Sequence, residues 1–295
     1  MKEDIEKLKQ AGSIAKETVA YARSITKKGM PLLQIAEDIE EFIRKKGAQP
    51  AFPVNLSINE IAAHATPIYN DEQTAHGLLK IDIGVHLDGW AADTALSLDL
   101  ENNQENQNLI DAAEAGLKAA LKITKLNLSL SKLGGAIEQA IKEKKVQPII
   151  NLSGHSIEHY NLHAGFSIPN IETPTNEILE EGIYAIEPFT TTGSGTVKEG
   201  KPSTIYHLQA ENAVRDPFAR ELLKYIQETY HTLPFCARWL VKSHGSRSVI
   251  ALKRLEDAGN LHHYTQLVES SGKPVAQAEH TIIISKKETI ITTAQ

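Results

Sequence analysis

The stretch KIDIGVHLDGWAADTAL, residues 80–96, decides how the rest of the chain is read. Leu79, Ile81, Ile83 and Val85 alternate with Lys80, Asp82, Gly84 and His86, which is the period of a strand. Asp88-Gly89 is a two-residue turn signal, so the stretch predicts a hairpin. With those two residues at the turn, Leu87 faces Trp90 and Gly84 faces Asp93. Asp82 lies two residues from Gly84 and shares its face. Asp82 and Asp93 are then diagonal neighbours about 7–8 Å apart, with Gly84 leaving space between them.

Two converging carboxylates repel. They can share a proton, hold a cation between them, or stand solvated on a wet face. On the hairpin alone the solvated face is the simplest reading, because an unpaired buried carboxylate is costly. The balance rests on what else can chelate. NLSGHSIEHYNLHAG, residues 151–165, reads as a loop holding His155, His159 and His163. GIYAIEPF puts Glu187 at the end of an apolar strand, just before Pro188, and AQAEHTIII puts Glu279 at the start of another. Taken singly, each of these is a structural histidine or a strand-end charge. Taken together, mixed carboxylate and imidazole donors suit divalent Mn, Fe, Co or Zn. Two such ions activate water and polarise a carbonyl. The reading is a two-metal hydrolase, in which the ions compensate Asp82 and Asp93.

The bulk composition fits this. The chain has 295 residues, is 41% hydrophobic and carries a formal net charge of -6. That permits a sizeable core and lacks the basic excess of a general nucleic-acid binder, so no direct nucleic-acid binding is expected. Cys236 is the one cysteine, so there is no internal disulfide framework. The N-terminus is charged and amphipathic, without a signal-peptide core. No apolar run approaches the roughly 20 residues of a membrane span. The expectation is a soluble, cytoplasmic protein with no membrane partner.

Along the chain, residues 3–25 and GMPLLQIAEDIEEFIRKKG read as helices, the second with Pro31 in its first turn and Gly47 as its stop. Residues 106–124 and 131–145 return to helical periods. VQPIINLSGH and IYAIEPFTTT read as short strands, as do the two Ile- and Thr-rich runs around SKKE near the end. Residues 204–271 read as a helical insertion in which strand signals are scarce. The helix–helix–hairpin order before residue 125 echoes faintly after it.

The ordered set IDIGVHLDGWAADTA, SGHSIE, LHAG, AIEPF and AEHTI, with AFPVNLSINEIAAHATP upstream, resembles the methionine aminopeptidase family. The insertion with HTLPFCARWL inside it resembles that of the type 2 branch. The chain lacks the Lys-rich N-terminal extension of eukaryotic type 2 enzymes and looks like the short archaeal form. The resemblance covers nearly the whole chain. It implies an α+β pita-bread fold, a curved antiparallel sheet backed by helices around a dinuclear metal centre. Residues 1–195 and 272–295 would form the catalytic domain. Residues 196–271 would be an inserted, mainly helical, winged-helix-like subdomain. It implies ligation of two divalent ions (Co, Mn, Fe or Zn) by Asp82, Asp93, His155, Glu187 and Glu279, with Asp93 and Glu279 bridging.

The implied activity is removal of the N-terminal methionine from nascent proteins and peptides by a metal-activated hydroxide. Glu279 would accept its proton, and His163 would stabilise the tetrahedral intermediate. His64 would position the peptide near its second residue. Phe52, Leu162 and His163 match positions lining the methionine pocket, although for Phe52 and Leu162 plain core residues explain the pattern nearly as well. The implied partners are nascent N-termini, with a monomer expected and ribosome contact through the insertion left open. Two alternatives stand beside this reading. One is an X-Pro aminopeptidase or prolidase on the same fold. The other is a catalytically silent binding protein, which would predict replaced ligands and basic tails.

Overall fold

Residues 2–294 are described in the computed structural model. Helices α1 (Lys2–Ile25) and α2 (Leu32–Lys45) open the chain. Leu8, Ala11, Ile14 and Ala15 recur at three- and four-residue steps and are buried, as an amphipathic helix requires. Helix α2 buries Leu32, Ile35, Ile39 and Ile43, and Pro31 caps it rather than sitting in its first turn. Gly47 then leaves the helix at φ +82°, a backbone region that glycine enters without steric cost.

The short strands β1 (Gln49–Pro50), β2 (Asn55–Ile58) and β3 (Ile61–Ala63) follow. Next comes the hairpin of β4 (Leu78–Leu87) and β5 (Trp90–Asp99). Its register is the one expected: Leu87 pairs with Trp90 and Gly84 with Asp93. Asp88 and Gly89 have φ of 48° and 82°, the paired positive values that a two-residue hairpin turn of type I′ demands.

The order then repeats. Helices α3 (Gln104–Ile123) and α4 (Leu130–Glu143) precede β6 (Gln147–Pro148) and β7 (Ser153–Ile157). Strands β8 (Ser167–Pro169), β9 (Gly182–Ile186) and β10 (Phe189–Thr191) follow. The echo is plain at this level. Strands β1 and β6 are the same Gln-Pro dipeptide, each placed just after the second helix of its pair.

The next segment holds β11 (Val197–Leu208), α5 (Pro217–Thr229) and β12 (Phe235–Cys236). It continues with α6 (Ala237–His244), α7 (Arg247–Asp257) and β13 (Leu261–Glu269). The sequence reading missed its long strands. β11 pairs antiparallel with β13, and with β12 and β3 they form a four-stranded sheet. The register shifts between Glu199 and Pro202 and again before Tyr206, and bulges of this kind scramble the alternation that a strand needs to be recognised. The segment has its own core around Leu222, Ile226, Phe235, Leu240, Leu252 and Leu255. Strands β14 (Val275–Gln277), β15 (Glu279–Ile284) and β16 (Thr289–Ile291) close the chain.

A nine-stranded sheet runs β1-β4-β5-β15-β9-β7-β8, with β2 beside β4 and β16 beside β15. Strand β15 joins the halves, pairing with β5 on one side and β9 on the other. Leu79, Ile81, Ile83 and Val85 of β4 pack under α1 and α2. A second core joins α3 and α4 to Tyr184, Ile186, Ile282 and Ile284. The alternating residues Asp82 and Gly84 therefore face away from the helices. Among the described residues, no helix is long and apolar enough to cross a membrane.

Candidate active site

One small cavity on that opposite face, about 60 Å³, collects the residues singled out in the sequence. Phe52, His64, Asp82, Asp93, His155, Leu162, His163, Glu187 and Glu279 all line it, beside Asn55, Ala63, Ile205, Pro234 and Tyr264. Asp82 comes from β4, Asp93 from β5 and Glu279 from the first position of β15. Glu187 follows directly on β9, where Pro188 stops the ladder. His155 lies on strand β7 rather than in a loop. His159 is not part of the site. Its Nε2 is 2.7 Å from the Asp88 carbonyl oxygen and its ring 4.8 Å from that of Trp90, so it ties down the hairpin tip.

The space above Gly84 is also taken. A Cβ there would lie 2.3 Å from Phe52 Cε1, so the missing side chain seats the Phe52 ring rather than leaving a gap between the carboxylates.

Asp93 is 4% exposed and Glu279 1%, which removes the solvated reading. Burial pushes the carboxyl pKa values of Asp82, Asp93, Glu187 and Glu279 up; neighbouring carboxylate charge adds to this at Asp93, Glu187 and Glu279. Burial lowers His155 to about 4 and holds His163 well below the usual imidazole range, with the neighbouring imidazoles adding to the effect at His163. His155 Nε2 stands 3.6 Å from Asp93 Oδ2 and 3.9 Å from Glu187 Oε1. Donor atoms of Asp93, His155 and Glu279 lie within 4.8 Å of one another. Asp82 Oδ1, Asp93 Oδ1 and both Glu279 carboxylate oxygens are buried with no hydrogen-bond donor. Buried acceptors of this kind are rare in native proteins. One shared proton neutralises one pair, not a cluster of buried carboxylates, whereas divalent cations match both the donor types and the charge. The residues present fit a divalent metal site.

The supports were less visible in the sequence. The Thr281 hydroxyl accepts from the Asp93 N–H at 2.7 Å and donates to the Asp93 carbonyl oxygen at 2.8 Å. Gln277 Nε2 donates to Glu187 Oε2 at 3.3 Å. His64 has φ 61°, its Nδ1 is 3.2 Å from the Thr265 carbonyl oxygen, and its ring is 5.1 Å from that of Tyr264. Thr265 and Tyr264 belong to β13, so the inserted segment braces this histidine. The His163 ring is 4.4 Å from that of His155.

Residues 6–230 match the model of metallopeptidase family M24. The chain is 47% identical to the methionine aminopeptidase of Pyrococcus abyssi, over 98% of its own length and 99% of that protein. It is 41% identical to the methionine aminopeptidase of Methanocaldococcus jannaschii over 99% of both. The chain belongs to family M24, in its archaeal-type methionine aminopeptidase branch. Among solved M24-like structures, the methionine aminopeptidase of Thermotoga maritima superposes with a TM-score of 0.72 at 21% identity, covering 100% of this chain and 98% of that one. A prolidase from Pyrococcus furiosus gives 0.63 at 16% identity, covering 100% of this chain and 65% of that one. A thermophilic Arx1 gives 0.82 at 17% identity, covering 98% and 90%. These likenesses establish the M24 pita-bread fold, which the sheet and its backing helices match.

Proposed function

We propose that this M24 chain removes the N-terminal methionine from proteins and peptides in a metal-dependent hydrolysis. The observation that carries the reading is the convergence of Asp82, Asp93, His155, Glu187 and Glu279 in one cavity, bounded by His64 and His163. Four carboxylates and one imidazole suit two divalent ions, Co, Mn, Fe or Zn. Asp82, Asp93, His155, Glu187 and Glu279 would hold them. When bound, the ions supply a water nucleophile of lowered pKa and a Lewis-acid contact to the carbonyl.

The remaining work belongs to the chain. Glu279 holds the proton released by the attacking water at a carboxylate oxygen. His163, kept neutral by its surroundings, donates an N–H to the oxygen on which negative charge develops. His64 orients the peptide beyond the scissile bond, held by β13 as described. Phe52 and Leu162 bound the methionine side chain with apolar surface. The same reading sets the enzyme to work as a cytoplasmic monomer on nascent chains. Residues 196–271 act as the inserted subdomain that walls the cleft, with Ile205, Pro234 and Tyr264 lining the cavity.

The test is a peptide panel on metal-stripped protein with Mn, Fe, Co or Zn restored. Methionine released from Met-Ala-Ser, with Leu-Ala-Ser, an X-Pro tripeptide and N-acetyl-Met-Ala-Ser left intact, is the expected result. Asp82→Ala and Glu279→Ala should abolish that release and lose bound metal. Preference for X-Pro would move the activity to the prolidase side. Metal binding without any cleavage would make the chain a silent binding protein.

A further inference from the structure

Asn55 sits on β2 directly opposite Asp82 of β4. Opposed residues share a sheet face, with Cβ atoms about 4.5–5.5 Å apart. Asn55 is 5% exposed and lines the same cavity as Asp82, His64 and Glu187. Its Nδ2 donates to the Pro53 carbonyl oxygen at 2.8 Å. That bond fixes the amide orientation, because a carbonyl oxygen can only accept. The group left over is Oδ1, and it has no donor.

Metal chemistry does not require this atom, since the carboxylates beside it are stronger ligands for divalent ions. The proposed ions already account for Asp82 Oδ1. The acceptor left without a donor is Asn55 Oδ1. In a peptide substrate, the free terminal amine supplies N–H donors. An N-acylated terminus would bring a carbonyl oxygen against this acceptor.

We propose that Asn55 Oδ1 accepts a hydrogen bond from the primary amine of the substrate, and so helps to select peptides with a free N-terminus. The proposal rests on the aminopeptidase reading above. Such a bond is made equally to bound substrate and transition state, so its loss belongs in KM rather than kcat.

The experiment uses the metal-loaded full chain. Asn55→Leu keeps the volume and removes the acceptor, and Asn55→Ala removes both. Calorimetry compares binding of methionine with that of its des-amino analogue, 4-(methylthio)butanoate. Parallel assays record Met-Ala-Ser kinetics, bound metal and melting temperature. The expected result is that the preference of the unaltered protein for methionine falls about tenfold in the variants, with a matching rise in KM and unchanged metal content. An unchanged preference overturns the proposal. A loss accompanied by falling metal content also overturns it, because Asn55 would then hold an ion.

Should neither variant fold, successive N-methylation of methionine removes the N–H donors on the unaltered protein. Binding should weaken with each methyl, and a flat response sinks the idea. Failure of the parent reading is seen separately, as absence of Met-Ala-Ser cleavage in the unaltered protein. The amine preference and its dependence on Asn55 remain measurable in that case.

Discussion

His163 stands ring to ring with His155 and is kept neutral by burial and by its imidazole neighbours. An oxyanion donor acts where charge develops. His163→Ala should therefore lower kcat by something on the order of 10²–10³-fold. Bound metal, measured by mass spectrometry of the native protein, should be unchanged. Loss of metal along with turnover would place His163 among the ion holders instead. The cavity residues named from sequence were legible because carboxylates and histidines stand out inside apolar strands. Asn55, Gln277, Thr281 and Tyr264 were not, because Asn, Gln, Thr and Tyr on a strand carry no signal by themselves. Thr281 matters only through its two bonds to Asp93, a residue far away in sequence.

At the scale of elements, α2 and α6 are joined by a buried ion pair. Arg238 Nη1 and Nη2 donate to the two Glu40 carboxylate oxygens at 2.9 and 2.7 Å, and the Trp239 indole N–H adds a bond of 2.7 Å. Arg238 Nε also donates to the Pro67 carbonyl oxygen at 3.2 Å, and the Val54 N–H reaches Glu40 at 3.3 Å. The pair thus grips both the segment that leads from His64 and the start of β2. Arg238→Met strips the buried Glu40 carboxylate of its bidentate guanidinium, leaving the Trp239 and Val54 bonds and Arg44 at 4.0 Å. It should cost about 3–5 kcal/mol in urea unfolding. Glu40→Leu added to it should recover much of that loss. A single variant as stable as the parent would show that the pair contributes nothing net. Nothing local announced this contact, since Glu40 reads as one more charge on an amphipathic helix. The same holds for β11 and β13, whose pairing is non-local and bulged. The hairpin was legible to the residue, because its turn and its alternation are both local.

For the whole molecule, the residues proposed to hold the ions stand where the two helix–helix–strand halves meet. Asp82 and Asp93 come from the first, His155 and Glu187 from the second, and Glu279 from the strand between them. Metal should therefore stabilise the fold by mass action. Its removal should expose a pH dependence with a definite sign. Burial raises Asp82 to about 7 and carries Asp93, Glu187 and Glu279 upward as well. Unfolded carboxyls titrate near 4. The contribution of these groups is thus present below about pH 4 and lost as pH rises through about 7. The metal-free protein should melt at progressively lower temperature between about pH 5 and 8, and divalent ions should abolish the trend. Scanning calorimetry of stripped and loaded protein decides this; a flat profile for the stripped form would mean that burial does not raise these carboxyls.

This arrangement also sets an order in time. A polypeptide is made from its first residue onward, so Asp82 and Asp93 emerge long before Glu279. The strand that carries Glu279 also closes the sheet between the halves. A copy still in synthesis, or one cut short before that strand, has the hairpin but neither the last donor nor the joint. Such a copy should release no methionine from Met-Ala-Ser. On the proposed set of metal-holding residues, hydrolytic capacity waits for Glu279 and the strand that carries it.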